Sequence, residues 1–283
     1  MVREINNLSD MLPILTYFQK NSDYNGIGVH FHRYHQLVLV REGLANFRIN
    51  GVDYPAGKDS LIIIRAFDTH NVSIRKYPYK RYVFTVTNQL ALTALREPKL
   101  LSLFLYHRAD ARNLVLLREE FARRLSAVFE ETIRECEEKK PMWSSRVIML
   151  IIQILIELYR EDPSLFSAGD YVNIIDTVSE IQNYVAQHFR EHIVLDDMAS
   201  KYFVSKYYLS RKFKEITGFG FKNFLIRYRI NEAQHLLQYT NKSVAEISSV
   251  VGYENPEHFI RIFHETQGIS PLQYRKTAAP VPQ

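Results

Sequence analysis

Leu209-Ser210-Arg211-Lys212-Phe213-Lys214-Glu215-Ile216-Thr217-Gly218 and Phe259-Ile260-Arg261-Ile262-Phe263-His264-Glu265-Thr266-Gln267-Gly268 are two versions of one pattern, 50 positions apart. Arg211 and Arg261, Phe213 and Phe263, Glu215 and Glu265, and Gly218 and Gly268 recur in register. A shorter matching piece precedes each: Met198-Ala199-Ser200-Lys201-Tyr202-Phe203-Val204, then Ile247-Ser248-Ser249-Val250-Val251-Gly252-Tyr253 at an offset of 49. One residue is therefore inserted between the two pieces of the second copy. A short helix, a tight turn and a second, basic helix make the layout that carries a helix end into the DNA major groove. Two copies in one chain read two groove segments without a second subunit. The leading expectation is a protein that binds double-stranded DNA.

Local chemistry supports each copy. In the first, Asp196 is expected to cap a short helix burying Met198, Ala199 and Tyr202, and Ser205 to cap the next helix. Leu209, Phe213 and Ile216 make the inward stripe, and Gly218 supplies the positive φ of a helix C-terminus. The outward face carries Lys206, Tyr207, Ser210, Arg211 and Lys214, and residues 206–214 contain no acid, which suits phosphate contact. In the second copy Ser243 is the cap, Ala245, Ile247, Ser248 and Val251 the packed face, and Gly252 the turn. Asn255 and Pro256 read as N-cap and first helical residue. Phe259 and Phe263 point inward; Pro256, Glu257, Ile260, Arg261 and His264 are placed at the DNA. Arg211 and Arg261 are expected to reach guanine edges, Glu257 cytosine, and Lys206 and Lys214 phosphates. Phe221 to Gln238 lacks Gly and Pro and reads as one long helix joining the modules.

On these motifs residues 174–276 resemble the DNA-binding domain of AraC/XylS-type transcription regulators. The resemblance rests on Leu209-Ser210-Arg211-Lys212-Phe213-Lys214, Tyr228-Arg229-Ile230, Leu236-Leu237, Val250-Val251-Gly252-Tyr253, Gly268-Ile269-Ser270-Pro271 and Tyr274-Arg275. His264 stands where the family usually has lysine, which weakens one phosphate contact at neutral pH. The resemblance implies a ligand-responsive activator with a small-molecule effector, RNA polymerase as a partner and a homodimeric state. A sugar is the favoured effector and a carbohydrate-use or related catabolic operon the favoured target.

The bulk properties agree. A chain of 283 residues allows two cores. Its net charge is +5, while from residue 174 onward 13 Lys and Arg stand against 11 Asp and Glu. Basicity is thus local to the helices, as sequence-specific reading requires, rather than spread as in bulk packaging. The one cysteine, Cys136, excludes an intrachain disulfide framework and fits a reducing cytoplasm. Met1 to Asp10 lacks the apolar core of a signal peptide, and the longest apolar run, Val147 to Tyr159, is too short to span a bilayer. The expected location is cytoplasmic, with no membrane partner.

The N-terminal part reads as short β-runs: Gln36–Val40, Ala45–Ile49, Leu61–Ile64, Val72–Arg75 and Arg81–Val86. Asn50-Gly51 is a hairpin signal, and Pro55-Ala56-Gly57-Lys58-Asp59 is turn chemistry. Such spacing argues for a small barrel or jelly roll. The segment resembles a cupin: His30-Phe31-His32, Gln36 in place of the family's glutamate, Gly43, then His70 from the second signature. Three imidazoles suffice for a metal centre in principle, but Gln36 replaces the anionic ligand, so no metal or other cofactor is expected. The expected ligand-binding positions are His30, His32, Tyr34, Gln36, Phe47 and His70, and packed or surface histidines are an open alternative. A metal-dependent cupin enzyme with a DNA-binding appendage is the competing class. The missing carboxylate and degraded second signature count against it, and no catalytic residues are assigned.

Residues 113–138 and 143–160 show helical periodicity, with Leu114, Leu117, Phe121, Leu125 and Val128 on the first face. The second is apolar around most of its girth, so a dimer interface is expected there, carried by Val147, Ile151, Leu155 and Leu158. The whole reads as a two-domain α+β chain. Residues 1–162 form a cupin-like β-barrel domain with dimerisation helices, 163–173 a linker, and 174–283 an all-α domain with two helix-turn-helix modules joined by a long helix.

Overall fold

A computed structural model of the chain describes residues 14–20, 28–87, 90, 97–105, 112–166 and 172–277. Two compact units divide at Asp170 and Tyr171. Residues 167–171, within the expected linker, and the polar start at Met1 to Asp10 lie outside the described residues.

The first unit is a six-stranded sheet of order β1-β5-β2-β4-β6, with β3 paired to β2. Its strands are β1 (Ile14–Lys20), β2 (Tyr34–Ile49), β3 (Val52–Gly57), β4 (Ser60–Ile64), β5 (His70–Thr87) and β6 (Leu114–Leu116). The sequence breaks β2 and β5 into two runs each, yet both are continuous. The register slips between Val40 and Ala45 are bulges within β2 that bend the strand without ending it. Gly43 lies in that bend at φ +82, where a Cβ would meet the Lys76 and Pro78 carbonyl oxygens at 2.5 Å. The bend lets β2 pair with β4 through Gln36–Leu39 and with β3 through Leu44–Ile49, which curls the sheet. Among the described residues no ladder joins β1 to β6, so the curl has open edges.

Asn50 and Gly51 make the expected hairpin turn, both at positive φ. The turn expected at Pro55 to Asp59 is confined to Lys58-Asp59, because Pro55, Ala56 and Gly57 pair with Asn46, Ala45 and Leu44. Strand alternation puts Val38, Val40, Phe47, Ile49, Ala56, Ile62 and Ile64 in one apolar interior cluster.

Among the described residues three α-helices of more than one turn, α1 (Pro98–Leu105), α2 (Glu119–Glu138) and α3 (Trp143–Glu161), accompany the sheet. Phe129 of α2 packs on Tyr82 and Phe84, at centroid distances of 5.8 and 5.9 Å, and so covers the sheet's outer face. The helix read from residue 113 starts only at Glu119, since Leu114–Leu116 pairs with β4 as a strand instead. Residues 163–166, expected to begin the linker, fold back: Phe166 is buried against Tyr159, and Arg112 bonds both Asp162 and Ser164 at 2.6 Å.

The second unit is all helix: α4 (Val172–His188), α5 (Leu195–Lys201), α6 (Lys206–Thr217), α7 (Phe221–Tyr239), α8 (Val244–Val250), α9 (Pro256–Gln267) and α10 (Pro271–Thr277). The expected joining helix is α7. Phe213 lies between Phe221 and Phe224, 5.5 and 5.3 Å away, and Phe263 between Phe259 and Tyr274, 5.8 and 5.6 Å away. The loop after α4 is tied to the joining helix and lies against the turn of the second module. Arg229 of α7 donates to the Phe189 and Glu191 carbonyls at 2.7 and 2.8 Å, and its guanidinium lies 5.3 Å from the Tyr253 ring centre.

Candidate nucleic-acid interface and ligand site

The two modules are built alike. Ser205 caps α6 by accepting from the Tyr208 N–H, and Gly218 ends it at φ 77. Asn255 caps α9 by accepting from the Glu257 and His258 N–H groups, Pro256 starts it, and Gly268 ends it at φ 74. Ser243 and Glu246 form a reciprocal capping box on α8. Two local expectations fail. Asp196 does not cap α5, whose cap is Val194; its carboxylate instead takes Lys206 at 2.7 Å. Ala245 is exposed, while Ile247, Ser248 and Val251 are buried as expected.

Leu209, Phe213, Ile216, Phe259 and Phe263 are all fully buried. Every position expected to face DNA is exposed: Lys206, Tyr207, Ser210, Arg211 and Lys214 on α6, and Pro256, Glu257, Ile260, Arg261 and His264 on α9. The inward anchors thus fix one repeated outward face per module. Arg261 pairs with Glu265 at 3.2 Å, whereas Glu215 is held by Lys212 at 2.9 Å. Phe203, which the sequence reading assigned only to a turn, is 97% exposed at φ 54, in the place that Gly252 fills in the second copy.

In the first unit His30 and His70 exchange both backbone hydrogen bonds, at 3.0 and 2.7 Å, as opposed residues on two strands. His32 is two residues along, so the three imidazoles share one face, with ring centroids 4.3 Å (His30 to His70) and 4.7 Å (His32 to His70) apart. Tyr34 stacks on His32 at 3.8 Å, and Gln36, half-buried, follows on the same face. Burial, then the neighbouring His70 and His30, hold His32 well below the usual imidazole range. Burial is also the main cause for His30, which is lowered, and for His70, which falls to about 4. All three are neutral at pH 7. Arg81, which the sequence reading did not place here, adds to the lowering of His30 and His70; no motif spacing connects it to them.

Two expectations need correction. Phe47 belongs to the packed interior, fully buried among Val38, Val40 and Ile49, and lines no open mouth. Val147, Ile151, Leu155 and Leu158 are at most 1% exposed, which leaves them no surface to offer a second chain. The accessible apolar face of α3 is the neighbouring one: Ile148, Ile152 and Ile156, half-buried, with Met149 60% exposed. No described helix is long and apolar enough to cross a membrane.

The chain matches two family models, an AraC-like ligand binding domain over residues 12–150 and a helix-turn-helix domain over residues 198–277. It is 26% identical to the uncharacterized HTH-type transcriptional regulator YisR of Bacillus subtilis, over 85% of this chain and 77% of that protein. The HTH-type transcriptional activator RhaR of Pectobacterium atrosepticum is 22% identical, over 88% and 86%. Among solved structures, ToxT from Vibrio cholerae superposes with a TM-score of 0.61 at 13% identity, covering 94% of this chain and 98% of that one, a likeness of fold. With a ligand-binding sheet domain and two helix-turn-helix modules matched in order, the chain belongs to the AraC family of transcriptional regulators.

Proposed function

We propose that this ligand-responsive regulator activates a carbohydrate-use or related catabolic operon by placing α6 and α9 in successive major-groove segments. The observation that carries the DNA-binding part is the recurrence of one exposed face on buried anchors: Arg211 and Arg261 outward, Phe213 and Phe263 inward. Arg211, Arg261 and Glu257 read base edges in this scheme, with Tyr207, Ser210, Pro256 and Ile260 beside them, while Lys206, Lys214 and His264 meet phosphates. Activation is supported by the relative described as an activator. RNA polymerase is then the downstream partner. A sugar effector is supported by the polar and aromatic side chains His30, His32, Tyr34, Gln36 and His70 on one face of the sheet. Dimerisation is assigned to the outward stripe of α3, where Ile148, Met149, Ile152 and Ile156 leave apolar surface for a second copy.

The test is a thermal-shift screen of sugars and catabolic intermediates on the full chain, followed by operator binding with the hits. A ligand at a hundred times its Kd should add about 2.7 kcal/mol of stability. A hit that changes operator affinity supports the reading. Sugars that leave both stability and DNA binding unchanged, while another class moves them, would remove the carbohydrate assignment.

A further inference from the structure

We infer that Phe203, in the turn leading into α6, contacts DNA and selects thymine by packing its ring on the C5-methyl group in the major groove. This contact rests on the placement of α6 in the groove proposed above, and adds a residue that reads by apolar contact.

The two modules repeat the same turn at an offset of 49. Tyr202, Phe203 and Val204 donate their N–H groups to the Met198, Ser200 and Ala199 carbonyls at 3.0, 3.3 and 3.0 Å. Val251, Gly252 and Tyr253 donate to the Ile247, Ser249 and Ser248 carbonyls at 2.9, 3.1 and 2.9 Å. Each turn therefore demands a left-handed residue at its second position, and φ is 54 at Phe203 and 88 at Gly252. The second module meets that demand with glycine, as it must, since a Cβ there would come within 2.6 Å of the Arg190 carbonyl oxygen. The first meets it with a bulky side chain, for which this conformation is unfavourable.

The fold gains nothing from that choice. Phe203 is 97% exposed, so its ring buries almost no surface against the chain. Strain kept at a residue without packing points to a role outside the fold. Its place in the chain narrows that role. Ser205, the cap of α6, is two residues on, so the two α-carbons lie within about 8 Å of each other. The N-terminal end of a recognition helix is the end that reaches base edges. Lys206 and Tyr207 begin it and are both exposed. Residues 206–214 carry four cations and no acid, which draws a polyanion to this rim rather than an apolar protein face. The apolar group on offer in the major groove is the thymine methyl, and phenylalanine is a side chain that packs on it. Covering the ring with that methyl returns the burial it lacks in the free chain. Gly252 offers no ring, so the thymine preference belongs to the α6 half of the site alone.

Double-stranded DNA is selected from a randomised library with the full wild-type chain. Each thymine of the selected site is then replaced singly by deoxyuridine, which lacks only the C5-methyl. One replacement in the half read by α6 is expected to weaken binding about four-fold, the worth of one buried methyl. Phe203→Asn, a change that suits the positive φ, should lower affinity for the unmodified site about ten-fold and abolish that deoxyuridine penalty. Its melting temperature should not fall. Phe203→Tyr keeps the ring and should keep the penalty. Equal deoxyuridine penalties in wild type and Phe203→Asn at every position overturn the contact. A clearly lower melting temperature for Phe203→Asn also overturns it, since the ring would then serve the fold. Unchanged DNA affinity with reduced transcription by RNA polymerase in vitro overturns it too, and assigns the ring to a protein partner. Arg211→Ala separates this contact from the groove placement beneath it. If Arg211→Ala shifts base preference and Phe203→Asn does not, only the thymine contact falls. If neither shifts it, the placement of α6 in the groove falls as well.

Discussion

Position 212 decides how the two modules present their arginines. In α6 it is Lys212, which holds Glu215 at 2.9 Å, and Arg211 carries no ion pair among the described residues. In α9 the equivalent residue is Ile262, so Glu265 is left for Arg261 at 3.2 Å. Arg261 must give up that exposed pair to reach a base, and such a pair is worth about 0.2–1 kcal/mol. Glu265→Ala is expected to tighten operator binding about two- to five-fold, measured by fluorescence anisotropy, at a loss of stability of at most about 1 kcal/mol. Arg211→Ala should cost about 1–3 kcal/mol and relax preference at one base pair, while Lys214→Ala weakens all sequences alike and lowers the salt slope by about one. Selection from a randomised operator library checks both, and an unchanged base preference for Arg211→Ala would limit that residue to the backbone. Cys136 behaves oppositely to these exposed groups. Burial, with Glu135 second, pushes its thiol to about 11. The thiolate is then scarce below that value, and alkylation at pH 8 should proceed only after unfolding.

At the level of elements, glycines at similar φ carry different penalties. Gly252, at φ +88, would bring a Cβ within 2.6 Å of the Arg190 carbonyl oxygen, whereas Gly268, at φ +74, faces open space. Gly252→Ala should cost more than about 2 kcal/mol and Gly268→Ala about 1 kcal/mol, compared by urea denaturation. Helix α3 gives a sharper contrast. Ile152→Glu with Ile156→Glu should yield a folded monomer by sedimentation, because both side chains are partly exposed. Ile151→Glu with Leu155→Glu should not fold, since it buries two unpaired charges at a cost beyond about 4 kcal/mol. Periodicity found this helix but could not orient it. A girth that is apolar nearly all round has no polar face to mark the outside, and the buried side is chosen by packing against the neighbouring helix α2 and the turn that follows α3, which the periodicity of α3 does not contain. The same limit explains β2 and β5. Polar residues at Arg41-Glu42 and the glycine at 43 look like a strand end, and only the cross-strand pairing shows them to be a bend.

Across the whole molecule, most of the second unit was legible in the sequence, because its caps, turns and stripes are local devices repeated in register. All three histidines of the cluster are named in the sequence, His30 and His32 by spacing and His70 by the cupin resemblance, and the backbone pairing of His30 with His70 is what brings them together. Arg81 enters only through the fold. Residues 171–283 form a compact unit of their own. Expressed alone, they should protect two groove segments roughly 10 base pairs apart in a footprint, and protection of one segment would show that only one module reads DNA. The loop at Phe189 to Glu191, bonded by Arg229 and lying against Gly252, sets where such a fragment can begin. The matched helix-turn-helix family model starts at residue 198, after that loop. A fragment cut where that match begins would strand the Arg229 guanidinium and leave the turn of the second module, more than fifty residues beyond the cut, unsupported. The start of the matched stretch and the start of autonomous folding are thus different places in this chain, and an expression fragment must respect the second.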